Sequence, residues 1–99
     1  MHDGIVRDDH RAVWREVEPR LRALGVELAD GLTEEQRQWY TEFLDANELG
    51  LALEMLADWL SEAAIPIRDV DRDEMVALAT AMSNEQRVAG PLRLCPASK

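Results

Sequence analysis

The sequence predicts an all-α protein, a small bundle of about four helices followed by an irregular C-terminal tail. Three observations carry that prediction. Apolar residues recur at helical spacing in several separate stretches, helix caps and breakers fall between those stretches, and no stretch alternates polar and apolar residues as a half-buried strand would. With 99 residues and 46% apolar content, the chain makes one domain, residues 1–99, with a single core.

The first helix is expected to begin after Asp8 or Asp9, either of which can accept the first free amide hydrogens, so residues 1–8 are read as irregular. Val13, Trp14, Val17, Leu21 and Leu24 form its apolar face, and Gly25 is a natural terminator. Pro19 lies nearly opposite that face, which fits either one kinked helix or two short ones. Gly31-Leu32-Thr33 opens the second helix. Thr33 with Gln36 matches a capping box, and Glu34 and Glu35 sit where the helix dipole favours acids. Trp39, Tyr40, Phe43 and Leu44 give this helix its apolar residues, and Asn47 to Gly50 turns the chain into an αα-hairpin.

The third helix, Glu48 to Glu62, carries the most information. Leu49, Ala52, Leu53, Leu56, Trp59, Leu60 and Ala63 span a wide core-facing arc. Glu54, Asp58 and Glu62 fall four apart on the opposite side, with Leu51 among them and Met55 at the edge. Like charges at that spacing repel by roughly a few tenths of a kcal/mol, so local helix stability does not call for the stripe. Ala64-Ile65-Pro66-Ile67 ends the helix. A fourth runs from about Asp71 to Met82, with Met75, Leu78, Ala79 and Met82 inward. Ser83 to Arg87 adds at most a short turn or helix. Gly90-Pro91 is expected to stop any helix, leaving residues 89–99 irregular, with Leu92, Leu94 and Cys95 lying across the bundle.

The net charge of −9 is unevenly placed. Residues 27–74 hold 14 acidic residues against Arg37, Arg68 and Arg72, a balance of −11, whereas the flanks hold 6 acidic and 8 basic, a balance of +2. Direct nucleic-acid binding is disfavoured, because phosphate contacts need clustered Lys and Arg. A cationic protein partner is favoured. No apolar leader and no long apolar run is present, and the single Cys95 fits a reducing cytosol, so a cytoplasmic protein without membrane contact is expected.

Catalytic and metal chemistry find little footing. Asp69, Asp71 and Asp73 match the first ligands of a calcium loop, but Glu74 replaces the required glycine and Thr80 the closing glutamate, so an acidic helix start is the better reading. His2 and His10 lack the fixed spacing of a helical metal pair. Cys95 has no partner cysteine or activating histidine and reads as a small hydrophobe. There is no phosphate loop, nucleophile elbow or carrier-type serine, the nearest stretches reading LADGL and LADWL. The chain is therefore expected to be non-enzymatic and to need no cofactor or metal. Trp14, Trp39 and Trp59 are candidate partner anchors, tryptophan being enriched at interface hot spots, but all three fall on predicted apolar faces, which favours core packing.

The stretch EFLDANELGLALEMLADWLSEAAIPI, Glu42 to Ile67, resembles the central motif of the MafI-type immunity proteins. Gly50, Leu51, Ala52, Leu53, Glu54, Asp58, Trp59, Leu60 and the Ile65-Pro66 pair carry the likeness. The Leu32-Thr33-Glu34-Glu35 opening extends it, over about residues 30–88 in all. The resemblance implies a small cytoplasmic protein that binds and neutralises a cognate polymorphic toxin, often a nuclease and so a basic protein. On that reading the partner face combines Leu51, Glu54, Asp58 and Glu62 with Asp69, Asp71, Asp73 and Glu74. The alternative is an acidic interaction module or homodimer, with Leu51 and Met55 buried between subunits, so the chain is expected to be a monomer or a weak homodimer.

Overall fold

The computed structural model describes the backbone of residues 2–98 and the side chains of residues 14–98. Within them the chain is all-α: α1 (His2–Glu27), a 3-10 turn (Ala29–Gly31), α2 (Glu34–Asp45), α3 (Leu49–Glu62), α4 (Asp69–Ala81) and α5 (Glu85–Leu92). Helix α3 is the axle. Leu49, Ala52, Leu53, Leu56, Ala57 and Leu60 are all buried, and each of the other four helices packs against it. Val17, Leu21 and Leu24 of α1, Tyr40 and Leu44 of α2, Met75, Leu78 and Ala79 of α4, and Val88 and Leu92 of α5 close the core around it.

The all-α bundle is as expected, with five helices among the described residues, α5 standing where the sequence allows a short turn or helix after Ser83; the differences at element ends have local causes. α1 is helical from His2 rather than from Asp8 or Asp9, so residues 2–8 are not irregular. It also runs unbroken through Pro19, which is exposed and opposes the buried face, where loss of one backbone hydrogen bond is tolerated. The side chains of His2, His10 and Val13 lie outside the described residues. Gly25 does not terminate the helix. A Cβ there would sit 2.8 Å from Tyr40 Cε2, so the glycine lets α2 approach α1, and the buried Tyr40 hydroxyl donates to the Leu21 carbonyl at 2.6 Å. At the other end, Gly90-Pro91 lies inside α5. The residue before a proline is barred from helix partly through its Cβ, which Gly90 lacks.

The turns after α2, α3 and α4 repeat one device. Asn47, Ala64 and Ser83 have φ of 62°, 49° and 62°. Each is followed by an amide that returns to a carbonyl in the last turn: Glu48 to Phe43, Ile65 to Leu60 and Asn84 to Ala79, at 2.8–2.9 Å. These are Schellman closures, and none uses glycine. Helix α3 therefore stops at this left-handed residue, two positions before Pro66. The Thr33–Gln36 capping box forms as expected, with both bonds at 3.0 Å.

The tail is pinned by backbone contacts. Ile67 donates to Pro96 O at 3.0 Å and accepts from Ser98 N at 2.9 Å, while the Arg72 guanidinium donates to the Leu92 and Cys95 carbonyls. Leu92 and Cys95 are buried, but Leu94 points outward. Burial pushes the Cys95 thiol above its usual pKa, in keeping with a packing role.

Ala64 is the most strained of the three closures, having no polar side chain to assist a positive φ. Ala64→Gly is expected to stabilise the protein by ~0.5–1 kcal/mol, raising the thermal midpoint by roughly 2–8 °C. Leu53→Ala in the axle should instead cost about 2–5 kcal/mol. Thermal and urea melts check both, and a lower midpoint for Ala64→Gly contradicts the assignment.

Candidate protein-docking face

The eight residues expected to meet a partner divide by what holds them. Glu74 takes a bidentate pair from Arg20 of α1, with Nε to Oε2 at 2.8 Å. Asp71 is 7% exposed and receives Arg68 through Nε at 3.0 Å and Nη2 at 3.2 Å, while the same guanidinium reaches Glu27 at 3.0 Å. These carboxylates stitch α4 to its own start and to α1. Asp69 and Asp73 remain exposed. Asp71, Asp73 and Glu74 line a groove between α1 and α4, with Ala23, Leu24 and Ala77 at its base.

The α3 stripe borders different neighbours. Glu54 accepts Asn84 Nδ2 at 3.0 Å and Arg87 at 3.4 Å, and the same Asn84 amide donates to Gly50 O at 3.2 Å. Glu54 thus fastens the start of α5 to α3. Beyond it, Leu51 is 39% exposed, Glu62 is exposed and Asp58 half-buried. Neither Asp58 nor Glu62 forms an ion pair among the described residues. The structure thus places the two halves of the expected face on separate grooves, with Glu54, Asp71 and Glu74 already engaged inside the protein.

What the structure adds is aromatic. Trp39 is 47% exposed and Trp14 is 40% exposed, so neither is core, and Trp59 is half-buried against it. The reason is visible on α2, where Tyr40 and Leu44 turn inward and only those two side chains are buried. Trp39 and Phe43, one residue earlier in each pair, are left as a parallel outer row, their rings stacked at 5.9 Å and 28°. Across from them Met55 and Trp59 rise from α3, and the two rows enclose an open cleft of about 510 Å³ with Glu35, Gln36 and Thr33 at the α2 end. Leu51 lies one turn before Met55, Asp58 and Glu62 within two turns after it, so cleft and stripe form one surface. The adjacent pairs Trp39-Tyr40 and Phe43-Leu44 were the available signal, since one helix face cannot bury both members of each.

No group of three or more His, Cys, Asp or Glu able to hold a metal occurs among the described residues. The face offers solvent-accessible aromatic and thioether side chains with carboxylates at its edge. No helix among the described residues is long and apolar enough to cross a membrane.

The structural role of the α4 carboxylates has a pH signature. The Arg20 hydrogen bonds hold the Glu74 carboxyl below its ordinary pKa, against a smaller opposing effect of burial. A depressed folded-state pKa stabilises fully above the ordinary value, and that contribution is lost as pH falls through the folded one. Between about pH 5 and pH 2 the urea midpoint should fall more steeply for the wild type than for Glu74→Gln; parallel curves would contradict the assignment. Compared with known proteins, the chain matches no family model, no curated protein and no solved structure.

Proposed function

We propose that this chain is a non-enzymatic immunity protein of the MafI type that binds a cognate basic toxin, of nuclease class, in the cytoplasm and occludes it. The observation that carries the proposal is the α2–α3 surface, where Trp39, Phe43, Met55 and Trp59 line an open cleft, with exposed Leu51 one turn away, beside carboxylates that form no ion pair among the described residues. Large amphipathic side chains of this kind anchor protein interfaces, and an unneutralised acidic rim speeds encounter with a cationic partner and selects against acidic ones. The net charge of −9 and the motif likeness over Glu42–Ile67 support the same reading. Nuclease clefts are basic because they hold phosphate, so an acidic protein seated there blocks substrate by charge and by bulk.

The apolar strip also supports a second reading, a homodimer through Leu51 and Met55. A twofold axis through that strip would set Asp58 of one copy toward Asp58 of the other if the helices run parallel, or toward Glu48 if antiparallel, and either like-charge contact weakens this reading relative to a cationic partner. Sedimentation at low micromolar concentration separates the two, a monomer supporting the toxin reading.

Co-expression with the toxin encoded by the adjacent upstream gene is expected to restore growth, and the two proteins should co-purify. Asp58→Lys with Glu62→Lys should weaken binding at least about tenfold, mostly through the association rate, and flatten its salt dependence. Asp69→Lys with Asp73→Lys should change affinity much less. Absence of both rescue and co-purification contradicts the proposal.

A further inference from the structure

We infer that the cleft between α2 and α3 is a receptor for an arginine side chain of the basic partner, its guanidinium stacked between the Trp39–Phe43 row and the Met55–Trp59 row. The inference rests on the reading of the chain as a binder of a basic protein and specifies what that partner must present. Three properties of the cleft select the occupant. Its walls are aromatic side chains and a thioether, which favour a flat or polarisable group. Its lining includes Glu35, in the first turn of α2, while on α3 Asp58 and Glu62 stand outside the lining, one turn from Met55 and Trp59 respectively. None of the three carboxylates forms an ion pair among the described residues.

An apolar side chain would use the walls and leave the carboxylates desolvated without compensation. A lysine ammonium is a compact, strongly hydrated charge that satisfies the carboxylates but stacks poorly. The guanidinium does both, being planar, weakly hydrated and able to donate in a fork to a carboxylate while lying on an indole. Among the described residues no guanidinium or ammonium lines the cleft. Arg37, on the same helix, donates to the Ala29 and Leu32 carbonyls, and Arg87 reaches Glu54.

The test follows the indole N–H resonances of Trp14, Trp39 and Trp59 in the isotope-labelled protein during titration with acetyl-Gly-Arg-Gly-amide. Its citrulline counterpart, which keeps the shape and loses the charge, is the control. Saturable shifts are expected at Trp39 and Trp59, none at Trp14, and none of comparable size with citrulline. Glu35→Gln and Trp39→Ala, both at exposed positions, should each weaken arginine binding about threefold or more while leaving the fold intact. Equal response to citrulline, or no response at Trp39 and Trp59, overturns the inference. Growth rescue by the chain without arginine binding would overturn it and leave the toxin reading standing. Arginine binding without rescue would keep the receptor and remove the toxin.

Discussion

Burial of α3 is the constraint on which the rest of the molecule depends. Its core-facing arc is so broad that Leu53, Leu56 and Leu60 are wholly inaccessible, and covering that arc takes four other helices in a chain of 99 residues. The connections must then be short, and the three left-handed closures at Asn47, Ala64 and Ser83 supply that shortness. With its inner arc so covered, α3 shows solvent only a narrow outer strip, where Leu51, Asp58 and Glu62 stand. Function on this helix is confined to what the core does not require.

The same economy sorts the acidic residues. Where two helices must be held at a fixed register, a carboxylate is paired with a guanidinium or amide: Glu74 with Arg20, Asp71 with Arg68, Glu54 with Asn84 and Arg87. Glu35 and Glu62, both exposed, form no ion pair among the described residues. Net charge alone does not separate these populations, and a surface rich in acids can hold few that are available to a partner. Of the carboxylates that form no ion pair among the described residues, Asp69 and Asp73 stand on α4, whereas Glu35, Asp58 and Glu62 stand beside Trp39, Met55 and Trp59, so the α2–α3 face joins apolar area to charge.

Much of the architecture was legible in the residues. Helical periodicity placed α2, α3 and α4, and the Thr33–Gln36 cap formed as the sequence indicated. Boundaries set by local exceptions were harder. Pro19 and Pro91 both lie inside helices because one is exposed and the other follows a glycine, and both conditions depend on surroundings that a proline alone does not reveal. Gly25 read as a terminator and is instead a contact with Tyr40, a fact that exists only once α1 and α2 are packed. For the candidate site, Leu51, Asp58 and Glu62 were readable from the helix wheel. The pairing of Glu54, Asp71 and Glu74 was not, since their partners lie in part on other helices. The aromatic row was missed because three tryptophans at apolar positions suggest core, whereas a one-sided helix such as α2 buries only one of two adjacent rings.

The most direct test of the account is oxidative side-chain footprinting of the protein alone and bound to its cognate basic partner. Trp39, Met55 and Trp59 are reactive side chains on the proposed face, while Val70, 61% exposed, marks the α1–α4 groove. The account predicts that the partner protects Trp39, Met55 and Trp59 and leaves Val70 unchanged. Protection of Val70 with undiminished oxidation of Trp39 and Met55 would contradict it.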